Sequence, residues 1–341
     1  MTGEFSSAAE ARGPYFDELS HGQLFDSAPG VTLTAGSAAV HQSIVGDRLA
    51  LATDHALGRA LSGRRELAHP ALVWDVAIGQ STLATHFVRA NLFYRGLVFR
   101  RFPSLGDTLY SRTEVVGLKQ NNARPGRPRT GLAALRITTR DQDGHAVLDF
   151  HRCAMLPLGP GAPDTGHADD LSGIPAGTVD VTAGLEGLDL SRLARQPRPG
   201  PPPRGQCIDV VGGDVVASAP ELARLTLNIA QVHHDAQAAG GRRLVYGGHT
   251  IGLAASQVTR ALPGIVTFLG WEGCDHTGPV HEGDTLRSRV IVGGSVPYAD
   301  GLHVVDLRCL VRAEPDRPGD GSGTTSAADA DVLDWRFTVL M

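Results

Sequence analysis

The chain has 341 residues, of which 42% are hydrophobic and 20% are charged, and these fractions are typical of a globular protein with room for two domains. A formal net charge of −5 gives no electrostatic reason to expect nucleic acid as a partner, and no apolar run approaches the roughly 18 residues that a membrane helix needs. The N-terminus lacks a secretory signal pattern, and the four scattered cysteines indicate neither a disulfide framework nor a zinc site. We therefore expect a cytoplasmic protein without a metal.

The first half of the chain predicts helices followed by a run of strands. Residues 1–13 are small and polar, which favours disorder, and a short strand is expected at 23–26. Helical patterns cover residues 37–45 and the apolar run that follows His69-Pro70. Strand-like segments then follow at 92–101, 106–117, 132–139 and 146–156. Turn signals such as Asp143-Gly144 separate these strands.

Residues 159–202 interrupt this pattern. They are rich in proline and glycine, a composition that favours an extended linker over a packed element. The stretch GLEGLDLSRL within them is consistent with a short helix. We therefore predict globular domains at 14–158 and 203–341, joined by this linker.

The second domain repeats motifs of the first in the same order. Gly106-Asp107-Thr108-Leu109 recurs 177 residues later as Gly283-Asp284-Thr285-Leu286, and Val147-Leu148-Asp149 recurs 185 residues later as Val332-Leu333-Asp334. Such matches at a nearly constant offset indicate a tandem duplication. Each half then has an early strand, an apolar helix and several meandering strands, which predicts an α+β fold. Residues 312–330 replace a tight hairpin with a long, mobile loop.

The densest cluster of chemically useful side chains lies between Leu225 and Ala255. It contains Asn228, His233, His234, Asp235, Tyr246 and His249, with Gly247 and Gly248 between the last two. The apolar spacing after this glycine pair predicts a helix that begins near Gly248, where backbone N–H groups have no intrahelical partner. A histidine beside such N–H groups places a proton carrier next to an oxyanion-binding dipole. A capped helix with solvated polar neighbours explains the same residue types, so the cluster alone leaves both interpretations open.

These segments resemble the MaoC-like double-hotdog family of enoyl-CoA hydratases and dehydratases, and within it the mesaconyl-CoA hydratases (β-methylmalyl-CoA dehydratases). The similarity is carried by residues 46–51, 106–126, 141–152, 228–235 and 241–249. The family motif Asp-x-Asn-Pro-x-His falls on Asn228 to His233, so that the histidine is kept and an amide replaces the acid. In the first half the acid is kept as Asp47, and Ala52 stands in place of the histidine.

The resemblance implies two hotdog folds, each an antiparallel sheet wrapped round a central helix, packed side by side into one continuous sheet. It also implies addition or removal of water at an α,β-unsaturated acyl thioester, such as a branched or dicarboxylic enoyl-CoA. No cofactor is expected, because the coenzyme A thioester is the substrate. A homodimer is left open.

The site residues follow from the same resemblance, with a pocket expected between the halves. His233 is expected to exchange the proton, Asn228 to orient water, and the N–H of Gly248 to stabilise the enolate oxygen. The residues expected to contact substrate are Gly247, Tyr246, His249 and Asp47.

Three other functions remain open at this point. The altered acid position fits a dehydratase-like enzyme that uses a carrier-bound or non-CoA substrate in a biosynthetic pathway. It also fits a non-catalytic protein that binds acyl thioesters, although such a protein would not need His233. A thioesterase is a weaker alternative, because a fold does not fix a function.

Overall fold

The chain repeats one arrangement of strands and helices. The computed structural model describes residues 10–63, 65–174, 180–193, 198–315 and 330–341. The first copy contains β1 (Leu24–Phe25), β2 (Val31–Thr32), α1 (Ala35–Val45), α2 (Ala50–Thr53), α3 (His55–Ser62), α4 (Pro70–Gln80), β3 (Ala90–Phe99), β4 (Thr108–Gln120), β5 (Thr130–Arg140) and β6 (Ala146–Pro157). The second copy contains β7 (Cys207–Asp209), β8 (Asp214–Val215), α5 (Ala219–Leu225), α6 (Gly247–Ala261), β9 (Thr267–His276), β10 (Thr285–Pro297), β11 (His303–Glu314) and β12 (Ala330–Leu340).

Both copies contribute to one antiparallel sheet. Its strands follow the order β1-β4-β5-β6-β3-β9-β12-β11-β10-β7, with β2 and β8 paired to β4 and β10. The copies meet where β3 pairs with β9, and Tyr94 lies opposite Cys274 while Leu97 lies opposite Trp271. The offset of 177 residues converts Tyr94 into Trp271 and Leu97 into Cys274, so a pseudo-twofold axis passes through this junction. The predicted tandem α+β fold with a continuous sheet is confirmed.

Each copy packs a central helix against the sheet. All 11 residues of α4 are buried, and the helix is capped at its start by His69, whose Nδ1 accepts a hydrogen bond from the N–H of Ala71 at 2.8 Å. Helix α6 follows Tyr246 and is buried from Gly248 to Thr259. Both helices lie where the apolar spacing predicted them, because each apolar run is long enough to fill the concave face of a sheet.

The repeated Gly-Asp-Thr-Leu motif forms the same turn in both copies. A carboxylate oxygen of Asp107 accepts a hydrogen bond from the N–H of Ser104 at 2.8 Å, and Asp284 accepts one from His281 at the same distance. Each turn leads into a long strand, β4 or β10. These acids therefore hold turns together, and the motif shapes the start of a strand.

Much of the predicted linker is packed against the first copy. Leu171, Leu185, Leu190 and Leu193 are buried, and Ala168 forms a β-bridge with Lys119 of β4. The expected short helix is instead a pair of 3-10 turns, Ala183–Leu185 and Leu190–Arg192. The extended-linker prediction is wrong for these parts, because single apolar residues among prolines and glycines give no helical or strand period.

Two segments were predicted to be disordered or mobile, and most of their residues lie outside the part of the chain that the structure describes. Residues 1–9 of the predicted disordered tail and residues 316–329 of the predicted mobile loop lie outside the described residues. Within the tail, Arg12 is held by an ion pair with Glu18 at 2.7 Å. Among the described residues, no helix combines the length and apolar character needed to cross a membrane.

Candidate active site

A cavity of about 340 Å³ opens between the two copies, where the pocket was expected. The second copy supplies the loop before α6, the start of α6 and the segment after β9, and the first copy supplies β3, β6 and the turn after α4. The polar side chains of the lining are Thr82, Arg89, Asn91, Tyr94, Arg152, Asn228, His233, Tyr246, Thr250, His276 and Thr277. Val88, Leu92, Val232, Leu244, Val245 and Val280 are among the apolar residues around them.

His233 is held as a neutral imidazole on the cavity wall. Its Nδ1 lies 2.7 Å from the carbonyl oxygen of Leu244, which can only accept, so Nδ1 carries the proton. Its Nε2 then carries the lone pair, and it makes no hydrogen bond within the described residues. Burial lowers the pKa of His233 to about 4. At neutral pH the ring therefore presents a proton acceptor to the cavity.

Asn228 lies beside His233 because α5 ends in a strained turn. Leu227 adopts a left-handed φ of 58°, and the next residue turns its amide into the cavity lining. The Oδ1 of Asn228 accepts a hydrogen bond from the N–H of Ala230 at 3.0 Å, which fixes the orientation of the amide. The NH₂ group makes no hydrogen bond within the described part of the chain. It is available to a ligand.

The start of α6 forms another part of the wall. Gly247 lines the cavity, and the N–H groups of Gly247 and Gly248 donate no hydrogen bond within the described residues. A Cβ on Gly248 would lie 2.0 Å from Oδ1 of Asp75, so only glycine fits there. Tyr246 lines the cavity and donates its hydroxyl to Oδ1 of Asp75 at 3.1 Å. The helix start is thereby fixed against α4 with its free N–H groups beside the cavity.

The first copy contributes a pair of polar residues from neighbouring strands. Tyr94 of β3 lies directly opposite Arg152 of β6, and both line the cavity. Burial raises the pKa of Tyr94, which stays protonated. His276 of β9 packs edge-on against Tyr94, with ring centroids 5.8 Å apart, and burial lowers its pKa to about 4.

The pseudo-equivalent edge of the molecule has the same backbone. Oδ1 of Asp47 accepts a hydrogen bond from the N–H two residues later, at Leu49 (2.9 Å), as Asn228 does at its own edge. The backbone N–H of Ala52 donates to the carbonyl oxygen of Leu49 at 3.0 Å. The backbone N–H of His233 donates to the carbonyl oxygen of Ala230 in the same way. Ala52 therefore occupies the position of the histidine.

The side chains at this second edge are paired with one another. The other oxygen of Asp47 contacts Nε2 of His69. Burial alone would raise the pKa of Asp47, but the charge and hydrogen bond of His69 hold that pKa below its ordinary value. Next to this pair, His41 lies 3.0 Å from Oδ2 of Asp75. An open depression remains at this edge, lined by Arg48, Ala50, Thr259, Arg260, Leu262, Pro263 and Ile265. Its lining contains neither a histidine nor an acid.

The fold places this chain among known structures. It superimposes on a conserved hypothetical protein from Mycobacterium tuberculosis that has a double hotdog fold, with a TM-score of 0.86 and 54% identity over 96% of this chain and 98% of the other. A MaoC domain protein dehydratase from Chloroflexus aurantiacus gives a TM-score of 0.80 and 28% identity over 98% and 99% of the two chains. The chain belongs to the double-hotdog family of MaoC-like dehydratases.

Curated members of this double-hotdog family agree with the structural comparison. The chain is 29% identical to beta-methylmalyl-CoA dehydratase of Chloroflexus aurantiacus, over 98% of this chain and 99% of the relative. It is 27% identical to mesaconyl-CoA hydratase of Cereibacter sphaeroides, over 90% and 91%. No model of a known protein family matches the chain.

The structure brings together some of the predicted site residues of this family member. His233, Asn228, Tyr246 and Gly247 line one cavity, and Gly248 lies directly behind Gly247. Asp47 and His249 do not line it. Asp47 is paired with His69 at the other edge, and His249 is fully buried, with no hydrogen-bond partner for either ring nitrogen among the described residues.

Of the cavity residues that were not predicted, Arg152 carried a weak signal in the sequence. Arg152 follows an alternating apolar pattern in β6 and breaks it, since Leu148, Phe150, Ala154 and Leu156 share its face. A charged residue on the buried face of a strand is unusual enough to be singled out. Tyr94 and His276 gave no comparable signal, because their places on the cavity wall depend on the pairing of β3 with β9.

Proposed function

We propose that the protein adds water to, or removes it from, the double bond of a 2-enoyl-CoA. The observation that carries this proposal is the fixed tautomer of His233, with an unprotonated Nε2 open to a cavity that also holds the Asn228 amide. The names of the beta-methylmalyl-CoA dehydratase and mesaconyl-CoA hydratase relatives support the same reaction class.

In the hydration direction, His233 Nε2 takes a proton from a water molecule as the oxygen of that water bonds to the β-carbon. The π electrons move to the thioester, where they form an enolate. The imidazolium then returns its proton to the α-carbon, so one group serves both proton transfers on one face of the double bond. Dehydration runs through the same steps in reverse.

The other residues position and stabilise the reacting atoms in this proposal. Asn228 cannot carry the proton, because an amide does not titrate in this range, and it holds the water through its free NH₂. The N–H groups of Gly247 and Gly248 suit the enolate oxygen, where negative charge develops next to the positive end of the helix dipole. Tyr246 fixes the start of the helix through Asp75.

The test is incubation of the purified protein with a panel of 2-enoyl-CoA thioesters. Loss of the ultraviolet absorbance of the conjugated thioester, without release of a free thiol, is the expected result. Release of free thiol would identify a thioesterase. Binding without either change would identify a non-catalytic acyl-thioester protein. Turnover only of carrier-bound thioesters would favour the biosynthetic alternative.

We place this reaction in the cytoplasm. Cys153, Cys207, Cys274 and Cys309 are all free thiols, as a reducing compartment would keep them. Whether the protein forms a homodimer stays a prediction, to be measured by sedimentation.

A further inference from the structure

Arg152 is a buried cation on the cavity wall. Its side chain is 3% exposed, and its Nη2 donates to Oγ1 of Thr85 at 2.5 Å and to the carbonyl oxygen of Ser81 at 3.3 Å. Both of these partners are neutral, as is Tyr94 on the opposite strand. Among the described residues, no carboxylate forms an ion pair with Arg152.

Two other arginines of the sheet are neutralised. Arg136 pairs with Asp149 at 2.8 Å, and Arg308 pairs with Asp334 at 2.7 Å, both through bidentate contacts on exposed parts of the sheet. Arg152 lies deeper than either, where a missing counter-charge costs more. A buried guanidinium with room in front of it is a site for an anion from solution.

The fold itself does not need a cation at this position. In the second copy the place of Arg152 is taken by Phe337, which lies opposite Trp271 as Arg152 lies opposite Tyr94. Phe337 and Trp271 are both buried in an aromatic cluster around Trp335. An apolar pair therefore satisfies the packing at this point of the sheet, and the charge belongs to the cavity.

We propose that Arg152 binds a carboxylate on the acyl group of the substrate and thereby selects dicarboxylic enoyl thioesters. The inference rests on the hydratase function proposed above. Arg152 and His233 line the same cavity, whose volume of about 340 Å³ is at the low end for a small-molecule site and suits a short acyl group. The planar guanidinium matches a carboxylate in a bidentate arrangement. A thioester oxygen in the ground state is neutral and leaves the charge uncompensated.

The experiment compares two four-carbon 2-enoyl-CoA thioesters that differ only at the end of the acyl chain, where one has a carboxylate and the other a methyl group. Each is assayed with the wild type, Arg152→Met, Arg152→Lys and Arg136→Met. Arg136→Met makes the same change on an exposed arginine of the same sheet. Folding of each variant is checked by thermal unfolding.

For the wild type, we expect kcat/KM to be on the order of 10²-fold higher for the carboxylate substrate, because a buried charge pair is worth that much when one partner is removed. Arg152→Met should abolish this preference, so that kcat/KM for the two substrates agrees within about threefold. Arg152→Lys should retain part of it, since the charge remains without the planar fork. Arg136→Met should behave as the wild type.

Equal loss on both substrates in a folded Arg152→Met or Arg152→Lys variant would overturn the proposal, as would a wild type that prefers the methyl substrate. Binding of the saturated counterparts, measured by calorimetry, separates this inference from the hydratase function. If the wild type hydrates neither enoyl thioester but binds the saturated carboxylate form tightly, and Arg152→Met does not, the hydratase function fails and the role of Arg152 stands. Equal binding of both saturated forms would overturn the role of Arg152.

Discussion

At one edge of the molecule the turn after α5 presents Asn228 and His233 to a cavity, and at the other edge the turn after α1 presents Asp47 and Ala52. The backbone hydrogen bonds of the two turns correspond. The side chains do not, since Asp47 is bound by His69, whereas the Asn228 amide keeps a free NH₂ group. The comparison shows that duplication supplied two scaffolds, and that only one presents an open proton acceptor.

The strands behind the two edges also differ, because one edge has polar side chains where the other has apolar ones. Tyr94 and Arg152 line the cavity of one edge, while their counterparts Trp271 and Phe337 are core residues. Burial of an aromatic pair stabilises the fold. Burial of an Arg removes its hydration, which destabilises the fold unless a ligand replaces the lost water contacts. The polar pair is thus a cost to the fold that a ligand offsets, and this distinguishes a site from its packed equivalent.

Removing His233 should make the two edges alike, since the other edge already has Ala52 at this position. We expect His233→Ala to lower kcat for hydration by about 10²-fold or more, because the imidazole whose tautomer leaves Nε2 open to the cavity is lost. Steady-state assays on the best enoyl-CoA of the panel measure this. His55→Ala, an exposed histidine at the other edge, is the control and should retain wild-type turnover.

A folded His233→Ala variant with near-normal turnover would contradict this role. The same assay on His249→Ala and Asp47→Ala would then show whether either of these residues carries the proton.

The residues of the central helices that contact the two turns allow a second test of the difference between the edges. A Cβ on Gly79 of α4 would lie 1.7 Å from the carbonyl oxygen of Thr226, directly beneath Asn228. At the other edge Ser256 of α6 occupies the matching place and donates to the carbonyl oxygen of Gly46 at 2.5 Å. Gly79→Ala should displace the turn that carries Asn228, with a loss of roughly 2 kcal/mol or more in unfolding free energy and a fall in kcat.

Ser256→Ala is the matched control. It removes one hydrogen bond, so we expect a loss of about 1 kcal/mol with turnover unchanged. Urea unfolding and steady-state kinetics measure both effects. Comparable losses of activity in the two variants would show that the two turns are not functionally distinct.

Changing Asn228 tests the difference between amide and acid. Asn228→Ala should lower kcat by roughly 10-fold, less than His233→Ala, because it removes a positioning hydrogen bond and no proton carrier. Asn228→Asp, which copies Asp47, should retain the activity or raise it, since a carboxylate oxygen can still accept from the N–H of Ala230. If Asn228→Asp is as slow as Asn228→Ala, donation from the NH₂ group is essential to the reaction.

Particular residues show how much of the fold and of the site could be predicted from the sequence. Apolar spacing predicted α4 and α6, and the repeats predicted one continuous sheet, because both depend on patterns that burial imposes along the chain. His233 and Asn228 were predicted from a motif, and Tyr246 from the resemblance of residues 241–249 to the same family. His249, two positions after Gly247, was placed in the site as well, but the turn of the helix points it elsewhere. Arg152 was not predicted, because its neighbours across β3 and α6 come together only on folding.

The smallest effect concerns His249, whose counterpart in the first copy is Leu72. Both occupy the third position of a central helix, but burial lowers the pKa of His249 to about 4, and its ring nitrogens have no hydrogen-bond partner among the described residues. Between pH 4 and its ordinary pKa near 6.5, the unfolded chain binds a proton at this residue and the folded chain does not. Protonation of His249 therefore has no effect on stability well above pH 6.5, where both states are unprotonated, and it opposes folding increasingly as the pH falls toward 4. Between pH 7.5 and 5.5, His249 accounts for a loss of roughly 1 kcal/mol in the free energy of unfolding.

His249→Leu should remove this loss. The urea midpoints at the two pH values should therefore lie closer together than in the wild type, with activity at pH 7.5 retained. An unchanged gap would show that other groups carry the acid sensitivity, and a loss of activity would return His249 to the site.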